Sequence, residues 1–126
     1  SVIAVMAQRL VRTVCKECRE LYTPLPAELT KLGIAPSDVR PEHTIYRAVG
    51  CSECFDSGYA GRWGIHELLQ VDDDIRSLVM QNTPSSLIKK RAVELGMKTL
   101  RDDGVTKVLN GHTTMDEIMR VTAEDR

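Results

Sequence analysis

All four cysteines of the chain fall in two C-x-x-C pairs, Cys15 with Cys18 and Cys51 with Cys54. Two residues between cysteines let the backbone fold back as a knuckle, so that both sulfurs point at one centre. Two knuckles supply four thiolates at tetrahedral corners, the ligand set that suits zinc. The gap from Arg19 to Gly50 is longer than the usual spacing between such pairs, which requires an insertion to loop out between them. A site closed by four protein ligands has no open position for water, so its metal is expected to be structural. Two disulfides would suit a secreted domain, and nothing in the sequence looks secreted. A redox C-x-x-C needs a thioredoxin-like βαβ context, which the pattern does not offer. An iron–sulfur cluster takes the same ligands, and spacing does not separate it from zinc.

The rest of the pattern is read around these knuckles. Val2, Met6, Leu10 and Val14 recur four apart, with Ile3 and Ala7 beside them, so residues 1–14 are expected to be a helix with one broad apolar face. Ala27 to Leu32 is a candidate short helix closed by Gly33, and Thr44 to Val49 is rich in strand formers. Gly58, Gly61 and Gly64 punctuate a turn-and-strand stretch from Tyr59 to Val71. Four helical segments follow. Asp72 or Asp73 caps the first, and Thr83-Pro84 starts the second with proline at its first position. The third runs from Leu100 to Leu109, and Thr114-Met115-Asp116-Glu117 reads as a capping box for the fourth. Helices this short need one another's apolar faces to persist in water. The expected fold is therefore mainly α with a small β zinc-ribbon-like module: a four-cysteine knuckle pair followed by a short-helix bundle.

Composition narrows the function classes. A chain of 126 residues with 42% hydrophobic and 28% charged residues is ordinary for a globular protein, and aromatics are only 4%, so the core must be aliphatic. The net charge of −1 provides no field to draw nucleic acid, and few aromatic platforms exist on which bases could stack. No apolar run approaches the roughly 18 residues that span a bilayer. The chain opens on Ser1 inside an apolar pattern and is expected to be a piece of something longer.

Further polar candidates each have a bland reading. His66 beside Glu67 could be an acid–base pair, but a polar position on a strand is the better reading; His43 and His112 fall in loop-like segments and are expected to be solvated. Asp102-Asp103 suits capping or a helix face better than a metal pair. Arg62 sits within the glycine run, where a guanidinium could meet a phosphate or a carboxylate, or lie idle on the surface. No G-x-x-x-x-G-K-[ST] occurs in the sequence, nor a dinucleotide fingerprint.

Met6-Ala7-Gln8-Arg9-Leu10-Val11-Arg12 before the first C-x-x-C, Tyr46-Arg47-Ala48-Val49-Gly50-Cys51 leading the second, Gly58-Tyr59-Ala60-Gly61-Arg62-Trp63-Gly64-Ile65-His66-Glu67, and Arg101-Asp102-Asp103-Gly104 occur in order along nearly the whole chain. Together they resemble the C-terminal part of bacterial type II secretion ATPases, the general secretory pathway protein E family, to which type IV pilus assembly ATPases are related. The resemblance implies three parts: residues 1–14 as the last helix of an ATPase core, residues 15–71 as a tetracysteine zinc module, and residues 72–126 as a helical extension. It implies that the Walker motifs, and with them ATP, Mg2+ and hydrolysis, belong to the parent protein and not to this chain. It places Arg62 near the nucleotide of the assembled enzyme. It further implies a hexameric, cytoplasmic ATPase peripheral to the inner membrane, whose partners are neighbouring ring subunits and the inner-membrane secretion platform, with no nucleic acid and no membrane insertion. The competing readings are a pilus ATPase fragment and a free-standing zinc-ribbon interaction module.

Overall fold

The computed structural model describes residues 3–123. The apolar stretch before Cys15 is a strand, β1 (Ala4–Val14), and not a helix. β1 pairs antiparallel with β4 (Tyr59–Gln70), from Ala4 opposite Gln70 to Arg12 opposite Arg62, with a register shift before Val14 meets Tyr59. The physical reason lies in the residue types and in the partner. Val5, Val11, Thr13 and Val14 are β-branched and suit a pleated surface. The spacing of four that suggested a helix is also an even number, so Met6, Leu10 and, ahead of the shift, Arg12 share one face of a strand just as well. Val2 of the apolar row lies outside the described residues.

The segment between the cysteine pairs carries one short ladder and a helix. β2 (Glu20–Leu21) pairs antiparallel with β3 (Tyr46–Arg47), so the strand expected over residues 44–49 forms only at its centre. A charge-paired Glu20 and Arg47, and Arg19 stacked 4.1 Å over the Tyr46 ring, hold this neck. α1 (Pro26–Lys31) begins with proline, and Glu28 reaches back to the Leu25 N–H at 2.9 Å while also accepting from the Tyr22 hydroxyl.

The four later helices stand close to their sequence signals. α2 (Asp73–Met80) is capped by Asp72, which accepts from the Ile75 N–H at 3.0 Å. α3 (Ser85–Glu94) starts one residue after Pro84, which serves as its N-cap. α4 (Leu100–Leu109) has a reciprocal box in which Thr99 accepts from the Asp102 N–H at 3.1 Å and Asp102 accepts from the Thr99 N–H at 2.9 Å. α5 (Met115–Thr122) is capped by Thr114, but the expected reciprocal bond from Glu117 is not made. The Glu117 carboxylate turns to Arg12 instead.

The helices do not form a bundle of their own. One buried cluster joins Val11 of β1 and Ile65 of β4 to Leu29, Leu32, Ile34 and Ile45 of the inserted segment and to Leu100, Val108, Met115 and Ile118 of α4 and α5. Each such aliphatic side chain contributes about 1.5–3 kcal/mol when fully removed from water. A two-stranded ribbon has two free edges, and the helices close both with carboxylates. Asp103 on α4 accepts from the His66 N–H at 2.8 Å, and Glu117 on α5 accepts from the Arg12 N–H at 2.8 Å. Glu67 returns the contact, accepting from the Leu100 N–H at the start of α4 at 2.9 Å. The far end of the ribbon stays apolar and open, with Ile3 75%, Met6 63% and Leu68 48% exposed.

Candidate metal centre

β1 runs straight into Cys15-x-x-Cys18, which runs into β2; β3 runs into Cys51-x-x-Cys54, which leads through a turn into β4. Because β1 pairs with β4 and β2 with β3, the two knuckles are brought face to face between the two ladders. The long insertion leaves and returns through the β2–β3 neck, so its length does not disturb the site. The Cys15 N–H, donating to the Gly58 carbonyl at 2.9 Å, ties the first knuckle to the chain beyond the second.

The four sulfurs lie within 4.8 Å of one another. Sγ separations are 3.9 Å for Cys15 and Cys51, 3.9 Å for Cys18 and Cys54, and 3.7 Å for Cys51 and Cys54. Four sulfurs at about 2.3 Å from one ion at tetrahedral corners lie about 3.8 Å apart, so the spacing fits a tetrathiolate metal site without rearrangement. All four are free thiols rather than disulfides. Cys15 and Cys54 are buried, while Cys18 and Cys51 are partly exposed.

Backbone N–H groups prepare the sulfurs for negative charge. Gly50 donates to Cys18 at 3.3 Å, and Cys54 accepts from Cys51 at 3.3 Å and Gly58 at 3.2 Å. Burial raises the Cys54 thiol, but those two N–H groups and the thiols of Cys51 and Cys18 outweigh it and bring the group down to about 6. At Cys51 the Cys54 N–H lowers the thiol, but burial and the bond that the Cys51 S–H donates to the Cys54 sulfur outweigh it, and the thiol is pushed up to about 11. The two sulfurs share a hydrogen bond, and a cation at the centre would displace its proton.

Two glycines make the second knuckle possible. Gly58 has φ +85°, and a Cβ there would lie 2.6 Å from the Ala48 Cβ. Gly50 has φ +119°, and its Cβ would lie 2.9 Å from the Asp56 carbonyl oxygen. Phe55 and Asp56 also adopt positive φ as the chain leaves Cys54, and Phe55 projects 92% exposed.

The remaining candidates fall away from this centre. Arg62 lies on β4, exposed and directly opposite Arg12. His66 and Glu67 are neighbours on β4, where side chains alternate between faces. Glu67 is occupied by the Leu100 N–H and by Lys89 at 3.5 Å, so the two do not make an acid–base pair. Asp102 caps α4, and Asp103 closes the ribbon edge and pairs with Lys107 at 3.6 Å. The ring nitrogen Nδ1 of His43 accepts from the Arg40 N–H at 3.0 Å. His112, expected to be solvated, packs its ring 4.2 Å from Trp63. Burial, then Lys107 and Lys16, hold it below the usual histidine range.

The residues missed by sequence reasoning are Arg12 and Glu117. Glu117 is 1% exposed and accepts from Arg12 Nε at 3.1 Å and Nη2 at 2.9 Å, besides the backbone bond, and from Arg120 at 3.0 and 2.9 Å. Burial raises the carboxyl, but the bonds from Arg120 and Arg12 prevail and hold it at about 2. The capping-box pattern concealed this role, because the same residue types serve both.

Residues 1–120 match the family model described as Type II/IV secretion system protein. The chain is 42% identical over 124 residues to the type IV pilus assembly ATPase PilB of Thermus thermophilus, covering 98% of this chain and 14% of that protein. It is 43% identical over 125 residues to the type II secretion system protein E of Pseudomonas aeruginosa, covering 99% and 24%. It is 40% identical over 124 residues to the type II secretion system ATPase E of Vibrio cholerae, covering 98% and 24%. The chain thus spans a quarter or less of the length of these relatives.

Proposed function

The chain belongs to the type II/IV secretion system protein family, and from that premise we propose that it is the non-catalytic, zinc-binding C-terminal part of the cytoplasmic ATPase that powers type II protein secretion. The observation that carries the reading is the convergence of Cys15, Cys18, Cys51 and Cys54 on one point with tetrahedral spacing. The zinc, as a structural ion, would fix the ladder crossing from which β4 projects. The parent protein would bind ATP and Mg2+ and turn over as a hexameric ring at the inner membrane. This chain would contribute contacts to neighbouring subunits and to the membrane platform. No helix among the described residues is long and apolar enough to cross a membrane. In this reading residues 1–14 end the ATPase core, residues 15–71 are the metal module and residues 72–126 are the extension.

Arg62 would face the nucleotide in the assembled ring. Its position supports that role: it is exposed on β4, two residues beyond the carbonyl of Ala60 that accepts from the Thr13 hydroxyl, so the strand beneath it is tied down. In the full-length protein, Arg62→Ala is expected to lower ATP turnover while metal content and folding stay intact; unchanged turnover removes the assignment.

A pilus-assembly parent is the second reading, supported by the 42% identity to the Thermus protein. Elemental mass spectrometry of the purified chain, with thiols counted before and after chelation, tests the metal assignment. One zinc per chain, with the cysteine thiols appearing on its removal, is the expected result. A metal-free chain with thiols already reactive removes the structural-zinc role.

A further inference from the structure

Arg12 and Arg62 are directly opposed partners on β1 and β4. Directly opposed residues leave a ribbon on the same face, with Cβ atoms about 4.5–5.5 Å apart, and like charges so placed repel. A buried carboxylate answers half of that repulsion. Glu117 takes Nε and Nη2 of Arg12, but it also takes Arg120. Arg62 has no ion-pair partner among the described residues. Asp116 lies within electrostatic reach of the neighbouring Tyr59. Counting it with Glu117 against the three arginines still leaves one positive charge in excess.

The Arg12 guanidinium is fixed and accessible at once. It lies 4.2 Å over the Tyr59 ring, and the Tyr59 hydroxyl is itself bonded to Thr114 at 2.7 Å. Its side chain is 44% exposed. The Nη1 donors have no hydrogen-bond partner among the described residues. A planar fork held on one side by a carboxylate and open on the other is arranged for a second oxyanion.

We propose that Arg12 and Arg62 together form one anion site on the outer face of the ribbon, taking the oxygens of a polyphosphate, with Glu117 as the positioning residue that fixes the Arg12 guanidinium. A polyphosphate fits better than a single carboxylate because two opposed guanidiniums need more than one negative charge between them. The inference rests on the assignment of Arg62 to a nucleotide and extends it to a second residue from the other strand.

The test titrates inorganic tripolyphosphate into the purified chain. Calorimetry reads the affinity, and the Nε–Hε resonances of the arginines read the location. Resonances of both Arg12 and Arg62 are expected to shift along one saturable curve. Arg62→Gln and Arg12→Lys are each expected to weaken binding about tenfold, the loss of one charge-assisted hydrogen bond. Lysine keeps a cation beside Glu117, so the fold is retained, but it lacks the fork. Arg40→Gln, on the inserted segment, serves as the control and is expected to bind as the parent does. If Arg62→Gln weakens binding while Arg12→Lys does not, and the Arg12 resonance stays still, the paired site is overturned and the single-arginine reading stands. If no saturable binding occurs, or neither variant changes it, the paired site is overturned, and ATP turnover of full-length Arg62→Ala decides the single-arginine reading separately.

Discussion

The carboxylate of Glu117 accepts the backbone N–H of Arg12 at 2.8 Å and two bonds from the same residue's guanidinium, across a sequence separation of 105 residues. It closes an edge of the ribbon and anchors α5 in one contact. Removing one member of a buried pair costs about 3–5 kcal/mol because the remaining charge is left without a partner. Arg12→Ala leaves Arg120 on Glu117, so its cost is expected to be lower, about 2 kcal/mol. Chemical denaturation of the chain and of Arg12→Ala at pH 7 checks this; equal midpoints would mean that the contact contributes nothing.

The same carboxylate sets an acid dependence. Its folded value of about 2 lies below the ordinary 4.5, so its stabilisation is fully present above about 4.5 and is lost as pH falls toward 2. Glu28, held low by the Tyr22 hydroxyl and the Leu25 N–H, acts in the same direction. With zinc on the four cysteines as proposed, protonation of their thiolates would also weaken the fold in acid. The informative quantity is therefore the difference between the chain and Glu117→Gln. That difference is expected to be largest above pH 4.5 and to shrink below it; a difference independent of pH between 5 and 2 would remove Glu117 as the titrating group.

Gly104 gives a prediction whose sign opposes helix propensity. It lies inside α4, where alanine is ordinarily the better residue by about 1 kcal/mol. A Cβ there would sit 2.8 Å from Cδ1 and 2.9 Å from Cγ2 of Ile118, which is fully buried and has no room to retreat. Overpacking of this kind costs about 1–3 kcal/mol. Gly104→Ala is expected to lower the thermal midpoint, and a raised midpoint would show that α4 and α5 pack less closely than described.

Gly58 links backbone conformation to the metal centre. Its N–H donates to Cys54, its carbonyl receives the Cys15 N–H, and its φ of +85° suits glycine. Gly58→Ala meets both a strained φ and the Ala48 Cβ. It is expected to release zinc at lower chelator concentration than the parent chain. Gly33→Ala is the companion control: it has φ +77° with nothing near its Cβ, and it is expected to lose stability without changing metal retention. If both variants hold zinc as the parent does, the knuckle does not depend on Gly58.

Elements whose signals are local were legible in the sequence. Asp72 and Thr114 mark the starts of α2 and α5 because a cap is a bond between residues three apart. The cysteine pairs were legible for the same reason, since a knuckle needs only two residues between its ligands. What the tertiary structure decided is everything carried by distant pairing. Residues 4–14 have a spacing compatible with helix and strand alike, and β4, far along the chain, resolved the choice by supplying hydrogen-bond partners along the whole ladder. The same pairing placed Arg62 beside Arg12. The edge it left open turned Glu117 from a capping residue into the carboxylate that holds β1 to α5. A ladder is specified by two strands at once, so neither strand's own residues could announce it.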